Sequence, residues 1–380
     1  MAVNFLAILL AIIFISLPVL GGNQAWEPSI KLASSLHFTN STEAGVDTTE
    51  TTLVPHEKRG ITIRPRGSDA DYQIWPNMEI KYCFEDRTFD ERDGKSTREI
   101  VFNDLVEARE LWHIHGLPRS FNWVELGDSD CNEGNRANYL LIVFNTDGRL
   151  GTTVGMPPKT GYQVGPRMTL SDSLNVGMLN VIANYAHEIG HAWGLHHEHQ
   201  NEAYWAMPYS NSGGTTFGPG NFHCQNLADY DRARNRLMAA FPGGEWQTEL
   251  NKICTKRAHA EDLSFSAAEY LPVTSQPVLV DSTTSIDWES IMLYPSGAGG
   301  RGSATHGNDQ RLSILTKPDN SRITPNIRPS RRDIAALTRL YGYKVPRQEF
   351  ISLGSKRNPL KRVFDKIRRK APGSPCNTAM

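Results

Sequence analysis

The chain has 380 residues, 39% of them hydrophobic and 21% charged, which suits a globular protein with a sizeable core. Its 40 basic and 41 acidic residues nearly cancel, to a formal net charge of −1. That balance argues against a general nucleic-acid binder, and no nucleic-acid partner is expected.

The amino-terminal end reads as a targeting segment. "FLAILLAIIFISL" (residues 5–17) is an apolar run followed by Pro18 and the small residues Gly21 and Gly22. An apolar stretch, a breaker and a small-residue region make a signal peptide over residues 1–22. The run is shorter than the roughly 20 residues of a membrane span, so the protein is expected to be secreted and extracellular. Residues 23–66 then read as a propeptide. The stretch "TNSTEAGVDTTETTLVPHEKRG" is rich in Thr and Glu and poor in aromatics, and it carries the Asn40-Ser41-Thr42 sequon. Cleavage is expected after Arg59, within Lys58-Arg59, or after Arg66.

The ordered part is expected to begin near Tyr72. Residues 78–84, "MEIKYCF", have strand character. Residues 96–116 read as an amphipathic helix with Ser96 as N-cap, Ile100, Val101, Leu105 and Leu111 at helical spacing, and Gly116 at its end. His113 and His115 sit at that helix end, where histidine suits the dipole. "ANYLLIVFN" (137–145) predicts a strand, and "GTTVGMPP" (151–158) a short edge strand stopped by prolines. "SLNVGMLNVIANYAHEIGHAWG" then predicts a helix ending at Gly194. Of the cysteines, Cys83 is expected to pair with Cys131 and Cys224 with Cys254, each within one local segment, leaving Cys376 over.

The predicted helix carries the chemistry. His187 and His191 are four apart, which puts both imidazoles on one helix face, and Glu188 lies beside the first. The pattern H-E-x-x-H supplies two zinc ligands and a general base. Gly194 can take the positive φ that ends a helix and turns the chain sharply, bringing His197 back towards the pair. Three imidazoles leave one tetrahedral position open, as in catalytic rather than structural zinc sites. His196 and His199 flank the third ligand and are expected to face solvent or to stand behind the ligands.

A downstream segment, "ESIMLYPSG" (289–297), carries Met292. With H-E-x-x-H-x-x-G-x-x-H, Glu198 after the third histidine, and Ser290, Met292 and Tyr294 as S-x-M-x-Y, the chain resembles the astacin family of metzincin zinc peptidases. The resemblance implies an α+β zincin fold: one catalytic domain (67–344) of two subdomains, with a twisted, mainly antiparallel-edged sheet and a zinc-binding helix flanking a cleft. It implies one catalytic Zn2+ held by His187, His191 and His197, with Glu188 as the base. Tyr294 would be a mobile ligand or oxyanion stabiliser, Met292 an apolar floor, and Glu198 a tie from the zinc-site turn to the mature amino terminus. "GTTVGMPP" resembles the edge strand that pairs with an extended substrate, and "SRRDIAALTRLYG" (330–342) the family's last helix. The implied activity is that of a secreted zinc endopeptidase made as a zymogen, acting on protein or peptide substrates and monomeric. The rival reading is a secreted zinc-containing binding or matrix protein without turnover.

The sequence also departs from the family. His187 and Met292 are about 105 residues apart, and the family's connection is shorter. The excess, about residues 202–281, holds Cys224, Cys254 and the helical "ADYDRARNRLMAAF". After Glu198 comes "HQNEAYW" rather than an Arg- and Asp-rich continuation, and only Asp47 offers a match to the family's inhibitory propeptide aspartate. In the tail, 345–380, Leu360, Val363, Phe364 and Ile367 make one apolar face among basic residues, a candidate for docking on the catalytic domain or for weak contact with an anionic surface.

Overall fold

The computed structural model describes residues 60–65, 72–157, 165–274, 278–279, 285–305 and 308–342. The signal-peptide segment, most of the expected propeptide including Lys58-Arg59 and Arg66, Cys376 and the basic tail lie outside the described residues. Among the described residues no helix is long and apolar enough to cross a membrane.

The chain enters at Gly60 with β1 (Thr62–Ile63). Ile61 and Ile63 are buried, so the folded part starts before Tyr72, where the sequence suggested. Strand β2 (Glu79–Phe84), the hairpin β3 (Thr88–Phe89) and β4 (Lys95–Ser96), and helix α1 (Thr97–Ile114) follow. A capping box starts α1: the Ser96 side chain accepts from Glu99 N, and the Glu99 carboxylate accepts from Ser96 N. Val101, Leu105, Ala108 and Trp112 give it one buried face.

The sheet is completed by β5 (Asn122–Glu125), β6 (Leu140–Phe144), β7 (Gly151–Thr152) and β8 (Arg167–Leu170), in the order β5-β2-β6-β8-β7. β5, β2, β6 and β8 pair in parallel, and β7 is the antiparallel edge, with Gly151 opposite Thr169. The strand expected over 137–145 is shorter at its start, because residues Glu133–Asn138 form a 3-10 helix capped by the Asn132 side chain. The Cys83–Cys131 disulfide ties β2 to that loop.

Helix α2 (Val181–Trp193) packs along α1. It begins later than the periodicity suggested, because Asn180 caps it by accepting from Ala183 N; the residues before it are turns that end at Leu179, with φ 56°. Two indoles pin α2 from opposite ends of its buried face. Trp112 Nε1 donates to Ala186 O at 2.9 Å and Trp75 Nε1 to Ala192 O at 2.8 Å.

The long segment after α2 is folded. It contains α3 (Tyr230–Ala240), α4 (Trp246–Thr255) and α5 (Arg257–Asp262), a 3-10 turn at Ser266–Glu269, and β9 (Val278–Leu279), which pairs with β1. The Cys224–Cys254 disulfide joins the approach to α3 with α4, as expected. Helix α6 (Arg331–Leu340) closes the unit, started by a second capping box between Ser330 and Asp333.

Candidate metal centre

Helix α2 presents His187 and His191 one turn apart, and Gly194 then terminates it in the left-handed region, φ 107°. A Cβ at Gly194 would stand 3.0 Å from Ile63 Cγ1 and from Leu340 Cδ2, so both the conformation and the close approach of β1 and α6 require glycine. The chain reverses as the motif predicts and returns His197. The three rings offer nitrogens within 4.8 Å of one another, all buried.

The ring nitrogens fix what this cluster can hold. His187 Nδ1 lies 2.7 Å from Ile291 O and His191 Nδ1 lies 2.7 Å from Leu195 O. A carbonyl can only accept, so each Nδ1 carries the proton and each Nε2 presents a lone pair. Those two Nε2 atoms are 3.1 Å apart, and His191 Nε2 is 3.0 Å from His197 Nε2. Facing lone pairs at this separation repel unless a cation lies among them. Nitrogens around a tetrahedral zinc at about 2.1 Å are roughly 3.4 Å apart, so the donor set suits such an ion. The carbonyls of Ile291 and Leu195 supply the outer hydrogen bonds that hold ligating imidazoles in one tautomer.

Glu188, beside His187 on α2, is fully buried. Tyr294 is also buried, its ring 4.2 Å from that of His197 and 5.8 Å from that of His187. Met292 lies under α2. A Cβ at Gly190 would collide with its sulfur, and Met292 O accepts from Glu198 N at 3.0 Å.

Glu198 has two partners that the sequence did not indicate. Its Oε1 accepts from Tyr204 Oη and from Asp287 N, each at 2.9 Å. Burial pushes its pKa up to about 7, against the pull of those hydrogen bonds. Close by, Asp333 accepts from Ser290 Oγ, Ile291 N and Ser330 N, and burial raises it to about 6. β1 does reach the zinc-site turn: Ile63 N donates to Gly194 O at 2.9 Å and His196 N to Ile61 O at 3.0 Å.

His196 and His199 do not face solvent; both are buried. Desolvation pushes His196 down to about 3. The His199 ring stacks on that of His197 at 5.2 Å and 13°, while its Nε2 lies 2.9 Å from Glu269 O. At the end of α1, His113 Nδ1 contacts Leu117 O and His115 Nδ1 contacts Leu111 O, away from the triad.

No family model matches the sequence, and no curated protein matches it. Among solved structures, the chain is similar to high choriolytic enzyme 1, a hatching-enzyme zinc-protease from the medaka fish Oryzias latipes. The TM-score is 0.40 at 14% identity, over 74% of this chain and 100% of that one. It is also similar to myroilysin, with a TM-score of 0.35 at 14% identity, over 75% of this chain and 100% of that one.

His187, His191 and His197 stand together, with Tyr294 against their rings and Met292 against the helix that carries the first two. The sequence reading missed the carbonyls of Ile291 and Leu195, and it missed Tyr270, whose ring lies 5.2 Å from that of Tyr294. Asp333 had a local signal, S-x-x-D at a helix start, but nothing in that spacing says it reaches the Met292 segment.

Proposed function

We propose that this protein is a secreted zinc-dependent endopeptidase of the astacin type. The observation that carries the reading is the pair of proton-bearing Nδ1 atoms, which leaves the Nε2 lone pairs of His187 and His191 converging beside the His197 ring. When bound there, zinc supplies Lewis acidity, polarising a substrate carbonyl and acidifying water to a pKa near 7.

The chain's own residues do the rest. Glu188 takes the proton of the attacking water and passes it to the leaving amine. Its burial keeps that exchange away from bulk solvent. Tyr294, beside His197, offers its hydroxyl to the carbonyl oxygen as negative charge builds. The antiparallel edge strand β7 is the proposed docking edge for an extended peptide. Just beyond it Gly155 N donates to His191 O at 2.8 Å, which ties that edge to the level of the triad.

Secretion is supported by the apolar amino-terminal segment and by disulfides stapling both halves of the described structure. Of the two expected processing points, the burial of β1 favours the one after Arg59, since a cut after Arg66 would sever β1 from the enzyme.

The test is mass spectrometry of a mixed-peptide pool incubated with the processed protein. Internal cuts that vanish with chelator and return with zinc are expected. A zinc-loaded, correctly processed protein that leaves the pool intact refutes the peptidase reading and favours a binding protein.

A further inference from the structure

The segment 265–273 of the insertion lies against the metal centre rather than out on the surface. Tyr270, Leu271 and Val273 are all buried. The segment is bonded to the turn that carries His197. Glu269 O lies 2.9 Å from His199 Nε2 and accepts from Gln200 Nε2 at 3.0 Å, and Val273 N donates to Gln200 O at 3.0 Å. It is also clamped from behind. Asp229 Oδ2 accepts from Ser266 N at 3.0 Å and Ser266 Oγ at 2.8 Å, and Arg257 Nη1 donates to Ala268 O at 2.6 Å.

Out of this frame Tyr270 projects towards Tyr294. The rings meet edge to face, centroids 5.2 Å apart at 77°, the geometry in which a positive ring edge meets a negative ring face. The Tyr270 hydroxyl donates to Ala298 O, four residues beyond Tyr294. His199 completes the enclosure at 4.7 Å from the Tyr294 ring. Tyr294 is thus enclosed by His187 and His197 on the ligand side and by Tyr270 and His199 on the insertion side.

We propose that Tyr270 is a positioning residue: its ring, braced on Ala298 and carried by the insertion, fixes Tyr294 beside the histidine triad. The proposal rests on the peptidase reading for Tyr294's role and on the ring contacts alone for its placement. The insertion then belongs to the site's framework, because it carries a wall that the motifs themselves do not encode.

The test compares the parent with Tyr270→Leu, which keeps apolar bulk but removes the ring, and Tyr270→Phe, which keeps the ring. Kinetics on a peptide substrate, zinc content and the visible spectrum of the cobalt(II)-substituted protein are read for each. Losing one aromatic edge contact predicts about a three- to tenfold fall in kcat for Tyr270→Leu, with KM and zinc content unchanged and an altered cobalt spectrum. Tyr270→Phe is expected to restore both readouts towards the parent.

Parent kcat and parent cobalt spectrum in Tyr270→Leu overturn the proposal. So does a loss of activity in folded Tyr270→Leu that merely follows loss of zinc. If Tyr270→Leu does not fold, Ser266→Ala, which loosens the clamp on Asp229 without touching either ring, is judged by the same criteria. A parent that binds zinc but cuts nothing sinks the peptidase reading, and the cobalt spectra of parent and variant still decide the placement by Tyr270.

Discussion

Gly190, between the two helical histidines, is packed directly on Met292. A methyl group at 190 would run into the Met292 sulfur and come within 3.2 Å of Trp112 Cζ2. The helix motif and the methionine segment are therefore fitted to each other at a position that H-E-x-x-H leaves open.

Gly190→Ala sets two effects against each other. Alanine in a helix interior gains about 1 kcal/mol over glycine. Overpacking a rigid core costs about 1–3 kcal/mol, and Trp112 cannot retreat while its indole is held by Ala186 O. The clash is expected to win, with a net loss of about 1–2 kcal/mol in urea unfolding. A variant as stable as the parent would mean that Met292 moves aside freely.

Glu188→Gln keeps the shape of the side chain and removes its basicity. Zinc content is expected to match the parent, while peptide cleavage falls by about two to four orders of magnitude. His187→Ala is expected to lose the metal, since one of the three proposed ligands is gone and Ile291 O loses its donor. Metal analysis beside a cleavage assay separates the two variants.

Asp333 gives a signed pH prediction. Its folded pKa is raised from 3.8 to about 6, chiefly by burial. The folded state therefore holds the proton where the unfolded chain has already released it. Stability from this group is present below about pH 4 and declines as pH rises towards 6. Asp333→Asn should flatten that decline; its remaining oxygen can still accept from Ile291 N and Ser330 N, while its amide nitrogen replaces the oxygen that accepts from Ser290 Oγ. Chemical denaturation at pH 4 and pH 6, compared between parent and variant, checks the sign.

Much of this arrangement was legible in the sequence because it is local. The spacing of His187, His191 and Gly194 is a statement about one helix and its end, and α1 was bounded by Ser96 and Gly116 for equally local reasons. The pairing of Cys83 with Cys131 and of Cys224 with Cys254 followed from neighbourhood along the chain. What was not legible is long-range. The contact of Tyr270 with Tyr294, and of Asp333 with the Met292 segment, depends on how separate elements pack. The delayed start of α2 came from Asn180, whose cap overrode an apolar run that continued upstream.

The amino-terminal prediction follows from packing. A mature chain cut after Arg59 begins at Gly60, where a Cβ would meet Ala336 Cβ at 2.9 Å, one turn past Asp333 on α6. N-terminal sequencing of the secreted protein is expected to read Gly-Ile-Thr-Ile. A chain that starts at Gly67 and is fully active would show that β1 is dispensable.

Removing the Cys224–Cys254 bridge by a double alanine substitution is expected to cost about 3–4 kcal/mol, from the loop of 30 residues that it closes. Thermal unfolding gives the size of the loss.

The carbonyl of Glu269 receives both His199 and Gln200, which makes metal affinity a collective quantity. An ion held at the triad would brace His197, and with it the neighbouring turn and the segment clamped to Asp229. A dissociation constant measured here would contain a share of that segment's own ordering free energy. Chelation should accordingly be felt far from the histidines, as faster amide exchange in residues 265–273.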